Sequence, residues 1–215
     1  DDTGWEYEVV IKSINSGQAK CEIMAISKSY AEPAIKIILY QALLKGTKFE
    51  TVLQKGTELG VTIFVPVLCT RSIPRFKDDR WVQSRYRRWR RIIIESAEQC
   101  RRGKLPCIRS PLDFSAACDI GSESPSFILW EKETAKGLKG ILKSWNVKDN
   151  FVDTISIFVG PEGGFSADEI EYASSRKIVP VSLGGRILRA ETASIATVAA
   201  VMYELGGLGD ENGLA

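Results

Sequence analysis

Arg186, Arg189, Glu191 and Thr192 follow a glycine pair, Gly184-Gly185, at the end of an apolar stretch and open an Ala-rich segment. Two guanidinium groups beside glycines suit an anion. The planar fork pairs bidentately with carboxylate or phosphate, and the missing side chains let backbone N–H groups approach. Surface salt bridging would use the same residue types. Upstream, Ser156-Ile-Phe-Val159 runs into Gly160-Pro161-Glu162-Gly163-Gly164, and Ser166 then caps an acidic helix start that includes Glu169. Taken alone, this is also a tight strand-to-helix turn. As a site it binds through backbone N–H groups at a helix entrance, with Glu162 accepting from ribose hydroxyls or a charged amine. It is not a P-loop, because no Gly-Lys-Ser/Thr follows, and its spacing is not that of the dinucleotide fingerprint.

The chain of 215 residues contains no histidine. Ser-His-Asp and Cys-His chemistry is therefore excluded, and zinc hydrolysis loses its usual ligands. Catalysis must run on carboxylates, Arg/Lys, hydroxyls and backbone dipoles, and no metal is implied. The five cysteines (Cys21, Cys69, Cys100, Cys107, Cys118) lack paired metal spacing and read as reduced thiols. No apolar run approaches the length of a membrane span, and no signal peptide is seen. The first residue is Asp1 rather than Met, so a processed product is expected. The net charge of +2 hides an asymmetry: Arg71 to Arg109 holds thirteen Lys/Arg against four Asp/Glu. A local excess of that size fits a polyanion. Its densest part is Arg85-Tyr-Arg-Arg-Trp-Arg-Arg91, which reads as a phosphate-tracking surface or as a solvated face over a buried Trp89.

These residues need elements to position them. Alternation over 5–28, interrupted by Asn15-Ser16-Gly17, predicts a β-hairpin. A lone hairpin is marginal in water, so this one is expected to be the last part of a small β domain. From Ile35 the pattern becomes alternating strand and helix. Strands are expected at Ile35–Leu39, Thr62–Leu68, Pro106–Ile108, Ser126–Trp130, Ile155–Val159 and Ile178–Leu183. Helices are expected at Lys48–Leu59, Trp81–Cys100, Thr134–Ser144, Ala167–Arg176 and Thr192–Leu205. Gly121–Ser126 reads as a loop and Gly206–Ala215 as a frayed tail. Such alternation implies an α/β fold: a parallel sheet covered by helices on both faces, with ligands at the carboxyl ends of the strands, where both glycine turns fall. The small-residue helix after Thr192 serves core packing or close packing across a dimer interface.

Several motifs occur in order: Gln54-Lys-x-Thr-Glu-Leu-Gly60, Arg71-Ser72, Glu98-Gln-x-x-Arg102 with Pro106, Gly160-Pro-Glu-Gly-Gly164 with Glu169, and Leu183-Gly-x-Arg-Ile-Leu-Arg-x-Glu-Thr-Ala193. Together they resemble the RsmE-type uridine-N3 methyltransferases of small-subunit (16S) ribosomal RNA, in the SPOUT superfamily. The resemblance covers roughly residues 34–206. It implies a SPOUT-type parallel sheet with a C-terminal trefoil knot over 34–206, a truncated PUA-like β domain at 1–30 and a tail at 207–215. It further implies S-adenosylmethionine (SAM) as cofactor, a homodimer with the site near the interface, and an assembled or near-assembled small ribosomal subunit as substrate. A cytoplasmic location follows, with a plastid or mitochondrion as the alternative.

Carried over by position, the resemblance assigns the cofactor to Leu129, Trp130 and Glu131, to Gly160, Pro161, Glu162, Gly163 and Gly164, and to Leu183, Gly184, Arg186, Ile187, Leu188, Thr192 and Ala193. RNA would meet Arg71, Arg85, Arg88, Arg91, Gln99 and Arg102. With no histidine present, Arg189 is expected to stabilise the developing uracil anion, and Glu191 to take the proton or orient Arg189. Two alternatives stand beside this reading: a SPOUT methyltransferase acting on transfer RNA or a ribose 2′-OH, and a non-catalytic RNA-binding module.

Overall fold

The computed structural model describes residues 3–29, 31–73, 79–145, 152–205 and 207–208. β1 (Trp5–Asn15) and β2 (Gln18–Lys28) pair antiparallel across Ser16-Gly17, whose φ angles of 47° and 82° match the left-handed two-residue turn that suits hairpin twist. Every residue of both strands is exposed, so the hairpin has no core of its own. Main-chain bonds hold its base: the Gly4 N–H donates to the Gly103 carbonyl, and the Ser29 N–H to that of Gly4.

The elements that follow are β3 (Lys36–Ala42), α1 (Lys48–Glu58), β4 (Val61–Leu68), α2 (Asp79–Gln99), β5 (Cys107–Ile108), β6 (Leu112–Asp113), α3 (Phe114–Gly121), β7 (Ser126–Leu129), α4 (Leu138–Trp145), β8 (Thr154–Val159), α5 (Ala167–Ser175), β9 (Val179–Val181) and α6 (Ala190–Glu204). The strands form a seven-stranded sheet in the order β5-β4-β3-β8-β7-β9, with β6 beside β4, and every pairing is parallel. Side chains alternate between the two faces of a strand, and each face is covered. Ile155, Ile157 and Val159 of β8 pack with Leu53 of α1, Trp89 of α2, Leu142 of α4 and Val201 of α6. Phe158 faces the other way, into a core with Phe114 of α3 and Ile170 of α5. On α2, Trp89, Ile93 and Ala97 form a buried apolar face, and Trp89 lies 4.7 Å from the Phe49 ring. Among the described residues, no helix is long and apolar enough to cross a membrane.

The structure differs from the sequence reading at several element boundaries. Helix α4 begins at Leu138 rather than Thr134 because Glu133 takes the preceding backbone for itself. Its carboxylate accepts from the N–H groups of Ala135 and Lys136. Lys136 and Leu138 then exchange main-chain bonds with Ser182 instead of starting a helix. Helix α6 starts at Ala190, two residues early, with Arg189 as its extended N-cap. Helix α3 is absent from the sequence reading altogether. Its signal is short but present: Phe114, Ala117, Cys118 and Gly121 recur at i, i+3, i+4 and i+7, and all four are buried. Of the expected tail, only Gly207 and Leu208 lie within the described residues. Both N–H groups return to the Met202 carbonyl, closing α6 rather than fraying from it. All five cysteines are free; burial, reinforced by Asp119 and Glu169, pushes the Cys118 thiol up to about 12.

Candidate functional site

The loops leaving β7, β8 and β9 converge at the carboxyl ends of these strands around a cavity of about 840 Å³. The β8 loop supplies Gly160 to Phe165. Its shape follows from its sequence: the Gly164 N–H donates to the Pro161 carbonyl at 2.9 Å, and Gly164 takes a φ of +66° that favours glycine. A Cβ on Gly164 would also meet the Glu131 carboxylate at 3.0 Å. The loop ends in the expected Ser166 cap, completed as a capping box by Glu169. Glu162 faces α1: its Oε1 accepts from the Lys45 N–H and the Lys48 ammonium, both at 3.1 Å. Burial works against its charge. The N–H groups of Glu162 and Lys45, with Lys48 alongside, nevertheless hold its carboxyl below the ordinary carboxylate range.

The β7 loop brings Leu129, Trp130 and Glu131 to the wall, and Trp130 extends the sheet by donating its N–H to the Val181 carbonyl. The β9 loop brings Leu183 to Arg189, turning at Gly184 with φ +102°. Helix α6 then offers Ala190 and Ala193 to the floor. That floor is pinned from below, where the Ser194 hydroxyl donates to the side-chain carbonyl of Gln41, a wholly buried residue of β3.

Every predicted cofactor position except Thr192 therefore lines this cavity. Thr192 does not, and neither does Glu191. With α6 starting at Ala190, successive residues turn by about 100°, so positions 190 and 193 face the cavity while 191 and 192 turn away. Thr192 is exposed. Glu191 is half-buried, and its Oε2 has no hydrogen-bond partner among the described residues. Arg189 lies on the cavity wall, where its side chain makes no cap hydrogen bond. The sequence reading missed Lys48, Glu133 and Thr134, which also line the cavity. Lys48 comes from α1, far away in sequence, and only its place at a helix start hinted at a role.

The predicted RNA contacts separate. Arg102 is a correction: its side chain is 4% exposed, ion-paired with Glu32 at 2.9 Å, and donates to the Val61 carbonyl at 2.6 Å. Its guanidinium is committed to these internal partners, as a structural clamp. Arg85 and Arg88 face α1 and pair with Glu50, itself 7% exposed. Arg91 pairs with Glu95 one turn on. Gln99 is exposed in a polar groove between α1 and α2 that also holds Gln54. Arg71 donates to the Gly163 carbonyl at 2.9 Å. Arg87 and Arg90, part of the basic run Arg85–Arg91 but not among the residues assigned to RNA by position, are exposed, and neither makes an ion pair among the described residues. They lie i, i+3 on the face of α2 turned from α1.

The profile of the RNA methyltransferase domain matches residues 31–202. The chain belongs to that family. Among relatives, it is 34% identical over 191 residues to the Ribosomal RNA small subunit methyltransferase E of Mesomycoplasma hyopneumoniae, covering 89% of this chain and 80% of that one. It is 28% identical over 204 residues to the protein of the same name in Bacillus subtilis, covering 94% of this chain and 78% of that one. The crystal structure of a Ribosomal RNA small subunit methyltransferase E from Neisseria gonorrhoeae, bound to S-adenosyl methionine, is similar with a TM-score of 0.81 at 29% identity, covering 94% of this chain and 80% of that chain. In this RNA methyltransferase, the matched residues include the whole cavity wall, while β1 and β2 precede them.

Proposed function

We propose that this chain uses SAM to methylate N3 of a uridine in small-subunit (16S) ribosomal RNA. The observation that carries the reading is the cavity at the ends of β7, β8 and β9, lined by glycine loops and with Arg189 on its wall. Its residues suit SAM. The volume is in the range of small-molecule sites, the glycines let a ligand approach the backbone closely, and Glu131, Glu133 and Glu162 give the lining a negative character that suits a cationic ligand. Gly160 to Gly164, Leu129 to Glu131 and Leu183 to Leu188 would hold it. Bound there, SAM supplies an electrophilic methyl group on a sulfonium. The chain supplies orientation, worth about 7–11 kcal/mol of such a barrier when the reacting atoms are aligned. Arg189 stabilises negative charge on the uracil ring as N3 gives up its proton to solvent water. A uridine inside paired RNA must first be splayed out.

In the same reading, residues 34–206 form the SPOUT domain, with its knot near the cavity. The hairpin belongs to a PUA-like domain, as the exposure of both strands supports. Two copies pair beside the site, which the exposed Ile187 and Tyr203 favour. The protein acts in the cytoplasm or in an organelle with bacterial-type ribosomes.

The test is methyl transfer from labelled SAM to small subunits lacking the modification, with nucleoside mass spectrometry of the product. 3-Methyluridine is expected. A methylated ribose or another base would redirect the target, and SAM binding without transfer would overturn the enzymatic reading.

RNA grip is expected to fall on Arg87 and Arg90, the α2 cations that no carboxylate neutralises among the described residues. Replacing both by alanine should reduce the slope of log affinity against log salt by about 0.7 per arginine on single-stranded RNA. Arg88→Ala should leave that slope alone and loosen the contact between α1 and α2 instead. An unchanged slope in the double variant would remove this face of α2 from the RNA path.

A further inference from the structure

Between β4 and α2 the chain makes a compact turn whose hydrogen bonds reach into the glycine loop. The Ser72 N–H donates to the Cys69 carbonyl at 3.0 Å, and the Cys69 N–H to the Ser72 hydroxyl at 3.2 Å. Both residues are buried, so the turn is rigidly based. From it, the Thr70 N–H donates to Glu169 Oε1 at 2.8 Å, while Oε2 of the same carboxylate accepts from the Ser166 N–H at 2.8 Å. Glu169 thus ties the turn to the exit of the β8 loop. The Arg71 guanidinium makes a second tie, donating to the Gly163 carbonyl at 2.9 Å. Its stem packs on the same residue: a Cβ on Gly163 would lie 3.2 Å from Arg71 Cβ.

A peptide unit is planar, with C=O and N–H opposed. Holding the Gly163 carbonyl therefore sets the Gly164 N–H, which closes the turn onto Pro161. Arg71 is not among the residues that line the cavity, whereas Gly163 and Gly164 are. It grips the loop from behind. In a glycine pair without side chains to resist rotation, that grip selects among peptide orientations that glycine would otherwise adopt freely.

We propose that Arg71 is a positioning residue for SAM: it holds the Gly163 carbonyl from outside the cavity and so presents the glycine loop in the orientation that binds the cofactor. This rests on the functional reading above and reassigns Arg71 from the RNA to the cofactor. The geometry also explains why arginine stands there. The packed stem and the planar, always-charged head act together, and lysine offers only a point charge.

The experiment compares the wild-type protein with Arg71→Ala and Arg71→Lys. It measures SAM affinity by calorimetry without RNA, then KM for SAM, KM for RNA and kcat, and thermal midpoints without SAM. Arg71→Ala is expected to weaken SAM binding by about 10- to 100-fold, the scale of one charge-assisted hydrogen bond. The KM for SAM should rise with it, while kcat at saturation and the salt slope of RNA binding hold. Arg71→Lys should recover part of the affinity. Unchanged SAM affinity with a shallower RNA salt slope would overturn the proposal and make Arg71 a phosphate contact. A SAM affinity that falls only in step with the thermal midpoint would also overturn it, by reducing the role to stability. A wild-type protein that binds no SAM would overturn the functional reading itself, an outcome distinct from either of these.

Discussion

Arg189→Ala is expected to lower methyl transfer to ribosomal RNA by about 10²- to 10³-fold in kcat, the scale of losing one preorganised charge-stabilising donor, with SAM affinity near that of the wild type. The fold makes this a clean substitution. Arg189 is the N-cap of α6 by its backbone, but its side chain makes no cap hydrogen bond, so alanine removes no cap and the helix start should persist. The Ala193 N–H still reaches the residue 189 carbonyl, at 2.8 Å in the present chain. Arg189→Lys should fall between the two, since it keeps the charge and loses the fork. Calorimetry of SAM binding and single-turnover transfer separate the possibilities. A variant that binds SAM poorly and recovers its rate at saturating SAM would make Arg189 a cofactor clamp, and one with full turnover would end its proposed role.

Arg102→Ala is expected to cost about 3–5 kcal/mol of stability, the usual loss when one member of a buried ion pair is removed. The Arg102 side chain is 4% exposed and that of Glu32 20%. The guanidinium also donates to the carbonyls of Val61 and Thr57, which close the gap between α1 and β4. Deleting it leaves a half-buried carboxylate without its partner and takes a donor from the Val61 carbonyl, while the Thr57 carbonyl keeps the Gly60 N–H. It also frees Glu32, which accepts from the Lys104 N–H beside the base of the hairpin. Arg102→Lys should rescue little, because one ammonium cannot serve Glu32 and both carbonyls in the same plane. Urea denaturation measures the loss. A stable Arg102→Ala protein with weakened RNA binding would instead return Arg102 to the RNA surface.

Much of this protein follows from its sequence alone, wherever the cause is local. The hairpin turn at Ser16-Gly17, the Ser166–Glu169 cap, the apolar run of β8 and the buried stripe of α2 depend on residues within one or two turns of each other. The glycines of Gly160–Gly164 and Gly184 mark backbone that must bend or approach closely, and their place after apolar strands put them at the same end of the sheet. The absence of histidine narrowed the chemistry to arginine, carboxylate and backbone dipoles.

What only the tertiary structure decided is which partner each polar group meets and which way each helix is turned. Arg71, Arg88 and Arg102 look alike in sequence, as cations in a basic stretch. Their partners, Gly163, Glu50 and Glu32, lie 92, 38 and 70 residues away, and those distant contacts divide them among a loop brace, a helix–helix tie and a buried clamp. The two-residue shift in the start of α6 moved Thr192 off the cavity wall and Ala190 onto it. A side chain's charge and shape are set by its own residue, but its desolvation and its partner are set by segments that only folding brings together.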